Sequence, residues 1–265
     1  MLDAVDSFHV KFILKNNTTK AVIFIDQHLT ESITNEINEK LTIFVDGTFA
    51  TVPQLSNTNC QLWTIVIRHK NRTFPIVYAI MEGRSAENYI DVLDAVVNVI
   101  KIKPDTAISD FERAERKALR TVFPSAKIIG SFFHYSQALV HNADKFGILK
   151  GDDKELGWGA TKLLVSLAFL PKNLIEEGFQ IISKIIFKNY KYLDSFFNYY
   201  KETWLNGFKS DSFSVFQQLH KTNNISERHN RELRETLKKH STIVEFLGLF
   251  FAELTTPLSD EHFVP

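Results

Sequence analysis

The sequence predicts an α/β fold, a mixed five-stranded sheet with flanking helices and an all-helical insertion. Three observations predict it. Three strand-like runs follow one another between residues 41 and 81. Helix and strand patterns then alternate as far as Phe133. From Tyr135 to Lys221 apolar residues recur only at spacings of three and four. The order strand, strand, strand, helix, strand, helix, strand belongs to a mixed sheet with helices packed on it.

Each element has its own signal. Residues 1–40 read as an extension packed on the core, with a strand at Ala21–Ile25 and a polar, helix-like stretch behind it. The first core strand is Leu41–Phe49, the second Gln61–Arg68 and the third Thr73–Ile80, with a hairpin turn around Asn71 between the last two. Ser85 reads as an N-cap for a helix whose Tyr89, Leu93, Val96, Val97 and Ile100 share one face. Pro104 precedes a short strand, Thr106–Ser109. Phe111, Ala114, Ala118, Leu119 and Val122 mark a second helix that stops before Pro124, and Lys127–Phe133 reads as the fifth strand. These pieces assign residues 41–134 and 222–255 to the core and 135–221 to the insertion, which opens with a break at Gly151, Gly157 and Gly159. Trp204 and the aromatic residues between 187 and 200 are expected to pack that insertion.

Composition narrows the class. With 265 residues, 44% hydrophobic content and 23 Phe, the chain can build a sizeable core. A single cysteine, Cys60, excludes an intramolecular disulfide and a cysteine-rich zinc module. The first residues carry no basic region followed by an apolar stretch, and the apolar runs near Leu163–Leu170 and Val244–Leu254 are too short or interrupted to span a bilayer. An intracellular, soluble protein is expected. Formal net charge is zero, which argues against a strong nucleic-acid binder on total charge alone. Charge is local, however. Between His220 and His240 lie six Lys/Arg (Lys221, Arg228, Arg231, Arg234, Lys238, Lys239) and three Glu.

Three acidic residues carry the chemistry. Asp46 ends the apolar run Leu41–Val45 and is followed by Gly47-Thr48-Phe49. Asp110 ends the run Thr106–Ile108 and is followed by Phe111-Glu112, while Glu227 opens a polar helical stretch. Taken singly, the first is turn chemistry, the second an N-cap and the third a first-turn glutamate. Together, two strand-end carboxylates and one helical carboxylate are what a two-metal phosphoryl-transfer site requires. Hard Mg²⁺ or Mn²⁺ ions about 3.5–4 Å apart take oxygen ligands and clamp the attacking and leaving oxygens. Asp46 and Asp110 meet if the first and fourth core strands are neighbours.

The chain resembles the catalytic domain of Mutator-like element (MULE) transposases. The matching residues are Asp46-Gly-Thr-Phe49 with Pro53, Gln61–Ile65, Pro75–Met81, Tyr89, Ser109-Asp-Phe-Glu112 with Ala114, and Phe123-Pro124. They continue with Phe133-His134, Gln137-Ala-Leu139, Trp204, and Thr222-Asn-Asn224 through Glu227 and Asn230. The resemblance covers about residues 40–250 and implies a ribonuclease-H-like fold of the DDE superfamily, with the helical insertion before the third acid. It implies that Asp46, Asp110 and Glu227 are catalytic and hold Mg²⁺ (or Mn²⁺). The expected partners are transposon ends and target DNA, in a homo-oligomer acting in the nucleus. Arg228, Arg231, Arg234 and Lys238 would contact phosphates. A Cys-x-x-His pair of the family falls on Ser131-Phe-Phe-His134, so only His134 matches, as a group that orients a phosphate or a carboxylate or as a core residue.

The remaining candidates have plain alternatives. Glu112, the main rival acid, reads as a group supporting Asp110 or as a solvent-facing helix residue, the latter favoured, and His229 and His240 read as surface residues. The leading function is a DNA transposase core that cuts and joins strands. A domesticated relative that binds DNA or protein without cutting is the alternative, favoured by Ser131 and by the lack of flanking zinc modules. A nuclease of the same fold from another family stands third.

Overall fold

A computed structural model describes residues 8–15, 18–36, 40–49, 52, 60–69, 72–187, 190–237 and 243–255. By its contacts the chain forms two compact units, Met1–Ile128 with Asn223–Pro265, and Ile129–Thr222.

The first unit is built on strands β1 (Phe8–Lys15), β2 (Thr18–Asp26), β3 (Thr42–Thr48), β4 (Cys60–His69), β5 (Arg72–Glu82) and β6 (Thr106–Ser109). A seventh, β7 (Lys127–Gly130), completes a sheet of order β1-β2-β5-β4-β3-β6-β7. The expected count of five is therefore corrected to seven: β1 and β2 extend the sheet beyond β5. β1 reads Phe8-His-Val-Lys-Phe-Ile-Leu-Lys15, in which apolar and polar residues alternate from Phe8 to Phe12 and the alternation breaks at Ile13. It pairs antiparallel with β2 along Phe8↔Asp26 to Lys15↔Thr18, and the register shifts between Ile13 and Leu14, where the alternation is lost. β2–β5, β5–β4 and β4–β3 are antiparallel, whereas β3 and β6 are parallel. The sheet is mixed, as expected. The turn assigned to Asn71 lies outside the described residues.

Alternation along the strands divides the core in two. Ile43, Val45, Trp63, Ile65 and Ile67 face a large cluster with Tyr89, Leu93 and Val96 of α2 (Ala86–Ile100) and Ala118 and Leu119 of α3 (Arg113–Val122). Ile33 of α1 (Gln27–Glu36) joins it. Phe24, Leu62 and Tyr78 face the opposite way, onto Leu233 of α9 (Asn224–Thr236), Leu237, and Phe246 and Phe250 of α10 (Ile243–Thr255). Ser85 caps α2 as expected, accepting a hydrogen bond from the Asn88 backbone N–H at 3.1 Å. α3 begins at Arg113 rather than Phe111, leaving Asp110–Glu112 as a short connection at the end of β6.

The second unit is helical: α4 (Phe132–Lys145), α5 (Lys154–Ser166), α6 (Ile175–Phe187), α7 (Asp194–Tyr200) and α8 (Ser210–Phe213), with a π-helical stretch at Lys201–Phe208. The fifth core strand, expected to run to Phe133, stops at Gly130, because Phe132 and Phe133 already belong to α4. A short apolar run does not distinguish strand from buried helix. Tyr135 is the hub of this unit. Its ring stacks on Phe213 at 5.0 Å and meets Trp204 edge-on at 4.7 Å. Its hydroxyl donates to the Leu164 carbonyl at 2.8 Å and lies 2.9 Å from that of Tyr200. Trp204, Phe196, Phe197 and Tyr200 thus pack the interior, as the sequence suggests, whereas Tyr190 and Tyr192 of the same expected group are exposed. Among the described residues no helix is long and apolar enough to cross a membrane.

Candidate active site at the end of strands β3 and β6

The register of β3 and β6 decides where the first two acids stand. Thr42 pairs with Thr106, Ile43 with Ala107 and Phe44 with Ile108. Asp46 and Asp110 each follow the last of these pairs by two residues, Asp46 still within β3 and Asp110 just past β6, so both lie toward the carboxyl ends of adjacent parallel strands. Two-residue spacing within β3 also gives Asp46 the sidedness of Phe44, which packs with Val66, Ile108 and Ile225 of α9.

Asp46 is buried, 8% exposed, and both of its carboxylate oxygens accept hydrogen bonds. Oδ1 takes the Gly47 backbone N–H at 2.9 Å, and Oδ2 takes the Asn230 amide at 2.7 Å. Asn230 belongs to α9. Immediately before that helix, Asn223 donates to the Val45 carbonyl at 2.8 Å. Two side-chain amides therefore pin α9 to the end of β3. Glu227 stands four residues after Asn223 and three before Asn230, on the same helical stripe. It is half-buried at that junction. The structure thus brings Asp46, Asp110 and the stripe carrying Glu227 to one end of the sheet. Among the described residues, no three His, Cys, Asp or Glu side chains converge as a metal cage.

Two further carboxyls surround the site. Glu112, expected to face solvent, is half-buried and accepts a hydrogen bond from the Tyr89 hydroxyl at 3.2 Å. Burial raises its pKa, opposed by Arg84 and by the Tyr89 bond, with Asp110 adding to the rise. The expectation fails because the chain at Asp110–Glu112 is not helical: Glu112 is the extended N-cap of α3. Gln61 completes the line by donating to the Tyr89 hydroxyl at 2.8 Å. Glu115, which no motif flags, is 3% exposed and accepts from the Trp63 indole N–H at 2.8 Å. Burial holds its pKa well above the ordinary 4.5, the Trp63 bond opposes that, and Asp110, Asp46 and Glu112 push it up further. Asp46, Asp110 and Glu112 therefore all stand within electrostatic reach of Glu115 at this end of the sheet. A signal for Glu115 did exist: it lies among Phe111, Ala114, Ala118 and Val122 on the apolar stripe of α3, where a carboxylate needs a reason to be.

The other candidates fall as follows. Arg228, Arg231 and Arg234 lie on α9 among its solvent-reaching positions. Arg228 pairs with Glu232 at 2.8 Å, and Arg234 donates to the Asn230 carbonyl at 3.2 Å. Arg231 and Arg234 follow Glu227 by four and seven residues and share its side of the helix, whereas Arg228 turns away from it. Lys238 lies outside the described residues, as do Lys239, His240 and Pro53. His229 is buried rather than on the surface, with its ring 5.6 Å from that of Tyr78. His134 sits in the first turn of α4, in the second unit, beside the Phe133 ring at 5.5 Å.

No curated protein matches the chain. The family model of the MULE transposase domain matches residues 42–138, from the start of β3 into α4, a span that holds Asp46 and Asp110 and ends before Glu227. Over that span, rather more than a third of the chain, the protein is similar to a MULE transposase domain.

Proposed function

We propose that the chain is the core of a metal-dependent DNA transposase of ribonuclease-H-like, DDE type, with Asp46, Asp110 and Glu227 as its catalytic acids. The observation that carries the reading is the parallel pairing of β3 with β6, whose register supports Asp46 and Asp110 as neighbours toward one end of the sheet. The pinning of α9 to the same end through Asn223 and Asn230 supports the place of Glu227.

In kind the donors suit a hard divalent cation: three carboxylates, each buried or half-buried, with Asp46 in β3 and Asp110 just past β6. Asp46, Asp110 and Glu227 would hold Mg²⁺ or Mn²⁺. Such ions activate an attacking water or DNA 3′-hydroxyl and neutralise charge on the leaving oxygen. The chain's own part is positioning and exclusion of water. Gly47 and Asn230 fix the plane of the Asp46 carboxylate. Tyr89, itself held by Gln61, fixes Glu112 beside Asp110. Arg231 and Arg234, on the side of α9 that carries Glu227, are suited to phosphates of DNA approaching the site. Assembly as a homo-oligomer on paired transposon ends in the nucleus belongs to this reading.

Cleavage or joining of DNA in Mg²⁺ or Mn²⁺ that disappears in Asp110→Asn is the expected result. A second reading has an observation of its own. Both oxygens of Asp46 are engaged by protein donors, and Ser131 stands where the family has cysteine. Both suit a domesticated protein that binds DNA without cutting it. DNA binding that survives in Asp110→Asn, with no cleavage by the wild type, would establish that reading instead.

A further inference from the structure

We propose that Arg116 is a positioning residue that holds Asp110 in place at the end of β6. The proposal rests on the reading of Asp110 as a metal-binding carboxylate. Asp110 itself lies past the last ladder pair of β6, in the three-residue connection before α3, where sheet pairing does not fix the backbone. Arg116 engages the residues on both sides of it. Its Nη1 donates to Ser109 Oγ at 3.2 Å, and Ser109 Oγ donates in turn to the Asp110 carbonyl at 3.1 Å. Its guanidinium carbon lies 5.3 Å from the Phe111 ring centroid. Its backbone N–H donates to the Glu112 carbonyl at 3.0 Å. Nη2 donates to the Ile128 carbonyl of β7 at 3.2 Å, so the whole arrangement is referred to a neighbouring strand.

The residue type argues the same way. Arg116 is 1% exposed. Burying a guanidinium is costly, and an apolar residue would fill the space at lower cost. What only Arg supplies is a rigid planar fork with several donors at fixed angles, able to join two strand ends and lie against an aromatic ring. That is the requirement of a group that sets the direction of a neighbouring carboxylate.

The test measures Mn²⁺ binding by the paramagnetic resonance signal of free Mn²⁺, on the full chain, in Arg116→Lys, Ser109→Ala, Asp110→Asn and Leu119→Ala. Arg116→Lys keeps the charge and loses the fork. Ser109→Ala removes only the hydroxyl between Arg116 and Asp110, and carries the test if Arg116→Lys fails to fold. Leu119→Ala, in the core of the same helix, lowers stability without touching the tie. We expect Mn²⁺ affinity to fall about tenfold in Arg116→Lys, by less in Ser109→Ala, and to hold in Leu119→Ala despite its lower melting temperature. In the metal-free protein, amide hydrogen exchange at residues 110–112 should quicken in the first two variants and hold in the third. Wild-type Mn²⁺ affinity in both Arg116→Lys and Ser109→Ala, beside its loss in Asp110→Asn, would overturn the proposal and leave the site reading intact. An equal loss in Leu119→Ala would also overturn it, since stability alone would then explain the effect. Unchanged affinity in Asp110→Asn would refute the metal reading of Asp110 itself. Unchanged exchange at residues 110–112 would overturn the positioning claim independently of metal.

Discussion

Asn230 is the residue whose removal tests the local architecture most sharply. Its amide donates to Asp46 Oδ2 at 2.7 Å, with Asn230 2% and Asp46 8% exposed, so water does not readily take its place. A hydrogen bond to a charged group contributes about 1.5–3 kcal/mol, and deleting one partner leaves the buried oxygen to bear the loss. Asn230→Ala should therefore destabilise the metal-free protein by about that amount, a fall of about 3–12 °C in melting temperature for a domain of this size. The assay is urea unfolding in chelator, followed by circular dichroism, as a cycle with Asp46→Ala and the double variant. The cycle should return a coupling of at least about 1.5 kcal/mol, because each single variant breaks the same bond. A coupling below about 0.5 kcal/mol would refute the claim that Asn230 fixes Asp46.

Three other outcomes follow from the same geometry. Glu115 has a folded pKa raised well above its ordinary 4.5, so the stability it contributes is full below that value and is lost as pH rises toward the folded one. Glu115→Gln, which can still accept from Trp63, should flatten the fall in urea midpoint between acid and alkaline pH and be the more stable form at the alkaline end; an unchanged pH profile would contradict this. A Cβ on Gly47 would sit 2.7 Å from Gln61 Oε1, whose amide is bonded to Tyr89, so Gly47→Ala should cost about 1–3 kcal/mol in the same unfolding assay and weaken Mn²⁺ binding. The double variant Arg231→Ala/Arg234→Ala should flatten the salt dependence of DNA binding, its log–log slope dropping by about one for every phosphate no longer neutralised, whereas Arg228→Ala, already paired with Glu232, should change it least.

Much of the central sheet was legible because its strands obey simple rules. β4 and β5 are runs rich in β-branched and aromatic residues, Ser85 caps its helix, and the apolar stripe of α3 shows in the spacing. At the edge of the sheet Phe8–Phe12 does alternate as a strand should, but that local signal does not say that β1 and β2 join the sheet beyond β5. Gly47 is instructive. An Asp-Gly pair reads as a turn, but Gly47 lies inside β3 opposite Trp63, where the lack of a side chain admits Gln61. Asp46 and Asp110 could be named from strand-end position and neighbours. The burial of Glu112 and Glu115 was harder to read, because it depends on where α3 starts and on which strands α3 meets, although a carboxylate on the apolar stripe of α3 was a signal for Glu115. The roles of Asn223 and Asn230 depend on contacts spanning 178 and 184 residues, which no local pattern encodes.

Binding of divalent metal by Asp46, Asp110 and Glu227 at one end of this sheet underlies the whole functional reading. Anomalous diffraction from crystals soaked in Mn²⁺ interrogates it without intermediaries. Anomalous density is expected between the Asp46 and Asp110 carboxylates, with Glu227 turned toward it, and that density should vanish in Asp46→Asn. Density elsewhere on the protein only, or equal density in Asp46→Asn, would contradict the assignment.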